Sequence, residues 1–386
     1  MTDPLDPGTD VGLYVHWPYC ARICPYCDFN VVRDRGRGDE QAGLVEAILA
    51  DLRAQAALTG PRRLASIFFG GGTPSLMAPD AVARIVAEAS TLFSPAGAIE
   101  ITLEANPTDA EAGRFAALAE AGVNRLSMGV QALDDDALRF LGRDHTAAEA
   151  LRAVAMAGRV FDRLSIDLIY ARPGQRPEDW AAELRTALDL GFEHVSPYQL
   201  TIEPTTAFGR AFARGILTPP DEDRAAALYE TTQAVLSKAG FQAYEVSNHA
   251  RGPAARSAHN LHVWRGGDYL GLGPGAHGRL TLDGVRTATV AHRRIADYVG
   301  GVAAASPWAE REHLNRAEAA EERLLLALRT TEGAPVVLLS DLDLSQHTGP
   351  AADLIGDGFL SVEEGRLIAT PRGRPVLDGV LKALLT

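Results

Sequence analysis

Short apolar runs rich in β-branched and aromatic residues alternate along the chain with longer stretches whose apolar positions recur every three to four residues. That is the pattern of strands followed by amphipathic helices. Strands are predicted over 13–16, 66–69, 99–104, 125–130, 164–169 and 194–200. Helices are predicted over 39–58, where Leu44, Ile48, Leu49 and Leu52 share a face, and over 79–92, 109–121, 147–160 and 176–190. Gly122, Gly158 and Gly191 are placed to end three of these helices in the left-handed conformation. Six strand–helix units predict an α/β fold with a parallel sheet and right-handed crossovers. The expected form is a partial (β/α)6 TIM-like barrel rather than a closed eightfold one.

A further helix over 221–240 leads into a predicted strand at 241–246, after which a Gly- and His-rich stretch, 248–278, breaks all periodicity. Irregular stretches of that length usually carry function. The end of the chain reads as helix 317–329, helix 351–357, a hairpin over 359–369 turning at Glu364-Gly365, and helix 374–384, an order resembling a winged-helix module. The expected division is a barrel over 1–240, a connecting region over 241–309 and the smaller module over 310–386.

Composition narrows the partners. The chain has 386 residues, 46% hydrophobic and 23% charged, with a net charge of −13. It can bury a core, and its charge repels polyphosphate backbones. The C-terminal module alone carries eight basic and thirteen acidic residues, so its resemblance to a winged helix does not make it a DNA reader; packing or a lid role is expected. Lys238 and Lys382 are the only lysines, so positive charge is almost all guanidinium, suited to fixed carboxylate contacts. The acidic start lacks a secretory pattern and no run reaches the ~18 apolar residues of a membrane span. A cytoplasmic protein without an integral membrane segment or a nucleic-acid partner is expected.

All three cysteines, Cys20, Cys24 and Cys27, fall within eight residues, in a loop that leaves the first strand as CxxxCxxC. Barrel loops of this kind open on the C-terminal face, where catalytic groups gather. Three thiolates suit a cubane cluster with one iron left open. Zinc completed by a histidine such as His16, or a redox arrangement, are the alternatives. The turn Phe69-Gly70-Gly71-Gly72-Thr73-Pro74-Ser75 exposes backbone N–H groups suited to an anionic carboxylate, or is simply a tight strand-to-helix turn. Glu104, Gln131 and Asp167 lie at strand ends facing the same mouth, with Arg143 one segment on.

With these blocks, Glu104-Ala-Asn-Pro107, Asn124 to Gln131 and Asp167-Leu-Ile-Tyr170, the CxxxCxYC loop resembles the radical S-adenosylmethionine (SAM) signature. The combination is similar to the oxygen-independent coproporphyrinogen oxidase superfamily and, within it, to the HemW-type haem chaperones, over roughly residues 11–280. The resemblance implies a 4Fe-4S cluster on the three cysteines, SAM contacts from Tyr14, Gly71 and Glu104, and a second-SAM environment from Tyr26, Gly72, Thr73, Gln131, Arg143 and Asp167. The coproporphyrinogen enzymes place a fourth cysteine where Phe29 stands and have a long N-terminal extension, whereas 19 residues precede Cys20. Both differences point away from decarboxylation.

His259-Asn260-Leu261-His262-Val263-Trp264 resembles the HNxxYW motif of HemW-type proteins, with Val263 in place of the tyrosine. It implies haem ligation by His259 with Trp264 against the porphyrin, His249 and His262 being weaker candidates and an ordinary packed loop the alternative. The leading expectation is a radical SAM haem chaperone that passes haem to an acceptor protein and takes electrons from a cellular donor. Oxygen-independent coproporphyrinogen III oxidation, or a related SAM-dependent methyl transfer, is the alternative.

Overall fold

The computed structural model describes residues 10–108 and 112–385. The acidic start and part of the predicted 109–121 helix lie outside the described residues. Six strand–helix units follow in the expected order: β1 (Asp10–Trp17), α1 (Gly38–Thr59), β2 (Arg63–Gly71), α2 (Pro79–Leu92), β3 (Ser94–Ala105), α3 (Phe115–Glu120), β4 (Arg125–Gln131), α4 (Asp135–Phe140), α5 (Ala147–Ala157), β5 (Arg163–Tyr170), α6 (Pro177–Leu188), β6 (His194–Gln199), α7 (Ala207–Ala213) and α8 (Glu222–Lys238). β1 to β6 pair in parallel with their sequence neighbours. Their outward faces, Leu13, Val15, Ile67, Phe69, Leu103 and Ile166 among them, are fully buried in one core with the helices.

The 248–278 segment departs from the expectation of irregularity. After two short edge strands, β7 (Gln242–Ala243) and β8 (His249–Ala250), it forms α9 (Ala258–Trp264) and β9 (Asp268–Leu272). β9 pairs in parallel with β1 on the side opposite β2, so the parallel sheet gains a seventh strand. Antiparallel β10 (His277–Leu282), β11 (Val285–Ala291) and β12 (Trp308–His313), with α10 (Ile295–Ala303) before the last, extend it on this side, and with β8 and β7 beyond β6 at the other edge the sheet has twelve strands. Five residues interrupted by glycine carry too little pattern to announce a strand; pairing on both edges makes Asp268–Leu272 one.

Two local expectations change. Gly122 and Gly191 have φ of 104° and 82°, as predicted. Gly158 caps α5 at φ −64°, an ordinary right-handed value, because the chain continues turning through Val160. The strand predicted at 241–246 reduces to β7 and a bridge from Glu245 to Thr330.

The C-terminal module comprises α11 (Arg316–Ala327), β13 (Ala334–Pro335), α12 (Val337–Asp341), α13 (Pro350–Gly356), β14 (Leu360–Glu363), β15 (Arg366–Ala369) and α14 (Leu377–Leu385). Its hairpin turns on Glu364 and Gly365, both at positive φ, the conformation a tight two-residue hairpin demands. The module has its own core around Leu324, Leu339, Leu367 and Leu384. It is tied to the barrel by Thr331 N–H donating to the Tyr244 carbonyl at 3.0 Å and by an Arg265–Glu332 ion pair. No helix among the described residues is long and apolar enough to cross a membrane.

Candidate functional site

The loop after β1 is held at its base and its tip. Tyr19–Cys20 pairs with Val32–Arg33, and the Pro25 carbonyl accepts from Phe208 N–H at 2.9 Å. Gly142 lies so close that a Cβ there would fall 2.4 Å from Pro25 Cδ. Docked in this way, Cys20, Cys24 and Cys27 line a cavity of about 440 Å³ at the C-terminal end of the strands. Tyr26, Gly71, Gly72, Thr73, Glu104, Gln131, Arg143 and Asp167 line the same cavity. Eleven of the fourteen predicted residues therefore converge across more than 140 positions of sequence.

Each of them has a structural reason for its place. Glu104 and Asp167 are on adjacent inward rows of β3 and β5. Gly71 N–H donates to Glu104 Oε2 at 3.1 Å, and Ser127 Oγ donates to the Asp167 carboxylate at 3.1 Å. Burial raises Glu104 to about 8, with the charge of Asp167 adding to it, and burial raises Asp167 to about 6 against its serine partners. Two buried carboxyl groups in one mouth could receive a cation or hydroxyl donors. Gln131 sits at φ 67° where the β4–β5 register breaks. That irregularity turns the end of β4 into the cavity, local strain of the sort kept at functional positions. Arg143 donates to Cys24 Sγ at 3.4 Å, to the Gly129 carbonyl at 3.0 Å and to Asn106 Oδ1.

Of the two readings of the glycine turn, its hydrogen bonds match the tight strand-to-helix turn. Gly71 N–H goes to Glu104, Gly72 N–H to the Trp17 carbonyl and Thr73 N–H to the Tyr19 carbonyl, so these amides are engaged within the chain. Glycine is needed at 72 because a Cβ would stand 2.7 Å from the Tyr19 carbonyl oxygen. The turn brings two backbones together and lines the cavity with them.

Burial pushes the Cys20 thiol up to about 12 and raises Cys27 as well. Metal binding there must displace protons. Among the described residues no three His, Cys, Asp or Glu side chains converge on one point as a single ion requires. A cluster, whose irons each take one thiolate, needs sulfurs spread around a cavity, and the cysteine loop provides that. His16, the histidine weighed for zinc, has both nitrogens engaged: Nε2 donates to the Asn30 carbonyl at 2.8 Å, leaving Nδ1 to accept from Tyr14 Oη at 3.1 Å. The donor set fits a cluster, and His16 is already bonded at both ring nitrogens.

Tyr14 is the SAM candidate that lies elsewhere. It opens with His259 and Trp264 on a second cavity of about 860 Å³, stacked on Phe68 at 6.2 Å. Phe68 in turn stacks on the His259 ring at 5.0 Å. Asp28, Phe29 and Tyr198 line both cavities and form their common wall. The two weaker histidines are directed away: His262 Nε2 donates to the Asp268 carbonyl, and His249 lines a separate groove beside Arg374. Val263 lines the second cavity, so the absent tyrosine leaves room there.

His259 is buried, and burial lowers it to about 3, so its imidazole is neutral. Its Nδ1 meets Ser66 Oγ at 2.8 Å. When Nδ1 donates in that bond, Nε2 keeps its lone pair for a metal. Sequence reasoning missed Ser66 and also Glu100. Glu100 accepts from His259 N–H and Ala258 N–H at 3.0 Å and from Ser257 Oγ at 3.2 Å, fixing the start of α9. Burial alone would raise Glu100, but Arg125, those N–H groups and Arg163 outweigh it and hold its pKa low. The one available signal was an acidic residue in an apolar strand run.

Residues 14–187 match the model of the radical SAM superfamily, and residues 314–376 that of the HemN C-terminal domain. Radical S-adenosyl methionine domain-containing protein 1, mitochondrial, of Mus musculus is 39% identical over 99% of this chain and 89% of its own length. Heme chaperone HemW of Mycobacterium tuberculosis (strain ATCC 25618 / H37Rv) is 35% identical over 98% of this chain and 96% of its own. The chain belongs to the HemW-type family of radical SAM proteins. Heme chaperone HemW of Escherichia coli (strain K12) is 41% identical over 74% of this chain and 75% of its own length. Among solved structures, coproporphyrinogen III oxidase (HemN) from Escherichia coli covers 99% of this chain and 92% of its own, with TM-score 0.81 and 22% identity, a likeness of fold. The HemW-type assignment accounts for the α/β sheet with its C-terminal module, and the radical SAM fold implies a 4Fe-4S cluster and SAM.

Proposed function

We propose that this chain is a haem chaperone: it holds a 4Fe-4S cluster on Cys20, Cys24 and Cys27, SAM in the cysteine cavity and haem in the adjoining one, and passes haem to an acceptor protein. The observation that carries the reading is the pair of cavities sharing the Asp28, Phe29 and Tyr198 wall, one lined by thiols and carboxyls, the other by aromatic rings and His259. An aromatic-lined space with one neutral, back-bonded imidazole suits a flat metal-bearing ligand.

When bound, the cluster would supply an open iron for the SAM amino and carboxylate groups and an electron from a cellular donor. Glu104 and Asp167 would receive the SAM ammonium or ribose hydroxyls. Arg143 holds Cys24, and Gln131, Tyr26, Gly71, Gly72 and Thr73 shape the remaining walls. Tyr14 belongs with Phe68, Trp264 and His259 on the haem side. Phe29, 60% exposed, takes part in the partition between the cavities rather than in ligation.

Anaerobic reconstitution followed by iron and acid-labile sulfide analysis tests the first half; about four irons per chain are expected, lost on Cys24→Ala. Haem titration tests the second: a Soret band is expected with the parent chain and its shift or loss with His259→Ala. A chain that takes up zinc in place of iron and sulfide, or a haem band indifferent to His259→Ala, would overturn the proposal.

A further inference from the structure

The second cavity has two chemically different ends. His259, Phe68 and Trp264 make one. His277 on β10, Arg293 after β11 and Glu310 on β12 make the other. The sheet measures the distance between them. Phe68 pairs with Tyr14 and Tyr14 with Gly271, while Gly271 abuts the His277 backbone, its ideal Cβ falling 2.1 Å from that carbonyl oxygen. The row crosses four strands, about 14 Å at the ~4.8 Å strand spacing. His259 stacks on the Phe68 end. The His259 and His277 ends are therefore set apart along the cavity by the width of this row, and they offer different chemistry.

That end is suited to anionic groups. Among the described residues no carboxylate pairs with Arg293, whereas its neighbour Arg294 pairs with Asp297. The Arg293 backbone is fixed by the Asn30 amide, which donates to its carbonyl at 2.8 Å, leaving the guanidinium on the rim. His277 lies within the field of Arg293: burial foremost, then Arg279 and Arg293, lower it against the pull of Glu310. It is thus a neutral imidazole, able to donate a hydrogen bond without a counter-charge.

Resting on the tetrapyrrole reading above, we propose that Arg293 and His277 grip the ionised propionate groups of the ligand at the end opposite His259. The site then selects tetrapyrroles that carry free carboxylates and rejects their esters. Glu310 opposes this grip and sets its strength.

The test is a Soret titration of the full chain with haemin and with haemin dimethyl ester, using the parent, Arg293→Met, Glu310→Gln and His259→Ala. A charge-assisted bond at a partly exposed rim should favour haemin about tenfold, equal to about 1.4 kcal/mol. Arg293→Met should bring that preference to about twofold, and Glu310→Gln should widen it. His259→Ala should weaken both ligands alike and keep the preference. Equal binding of haemin and its ester by the parent, or an undiminished preference in Arg293→Met, overturns the propionate assignment while the haem cavity stands. Failure of the parent to bind either ligand overturns both.

Discussion

Glu104→Gln should stabilise the chain before cluster reconstitution, by an amount that grows with pH. Glu104 titrates at about 8 in the fold against an ordinary 4.5, because burial and the Asp167 charge disfavour its ionised form. Between those values the folded chain holds a proton that the unfolded chain has released. Stability therefore falls as pH rises, by about 1.36 kcal/mol per pH unit from this one group. Glutamine keeps an oxygen for the Gly71 N–H and does not titrate. Asp167 titrates in both proteins and largely cancels from the difference. The advantage of the variant should then increase by about 2.7 kcal/mol between pH 5.5 and pH 7.5, and stop increasing above about pH 8. Urea unfolding followed by circular dichroism at pH 5.5, 6.5 and 7.5 measures it. A difference that is flat with pH would show that Glu104 is ionised in the fold throughout and would refute the burial argument. SAM affinity should move the other way, since the neutral amide removes a carboxylate from the cavity, a case of stability given up for a binding site.

Three further outcomes are expected. Ser66→Ala removes the partner of His259 Nδ1 and should weaken haem binding several-fold, corresponding to about 1 kcal/mol for a lost hydrogen bond, with Ser66→Thr retaining affinity; a Soret titration reads it. Gly142→Ala places a methyl 2.4 Å from Pro25 at φ 69° and should cost about 2 kcal/mol and lower iron content after reconstitution. Gly174→Ala, at φ 73° with open space around it, should cost less and leave iron content unchanged. Asn30→Ala removes two 2.8 Å bonds to the Pro274 and Arg293 carbonyls; haem affinity should fall about tenfold for the ~1.4 kcal/mol lost while iron and sulfide stay at parent levels.

Much of the fold was readable because a parallel barrel writes itself locally. Buried strands such as Leu164 to Ile169 are continuous apolar runs, the helices between them are amphipathic, and Glu364-Gly365 can hardly be anything other than a hairpin turn. The cysteine loop was equally plain, since CxxxCxYC sets its three thiols within eight residues. Residues at the ends of successive strands had to share the mouth once the strands were parallel, which is why Glu104, Gln131, Arg143 and Asp167 line one cavity.

The tertiary structure alone decided three matters. Asp268–Leu272 became the seventh parallel strand because β1 offered an unpaired edge, a fact recorded two hundred and fifty residues away from it. The amides of Gly71, Gly72 and Thr73 were taken by Glu104, Trp17 and Tyr19, because the loops they join pack at backbone contact. Tyr14 and His259 came to share a cavity only because Phe68, from a third segment, stacks between them. Local pattern reports what a segment prefers; which rings, protons and charges meet across the sheet depends on register and closure, and those are properties of the whole chain.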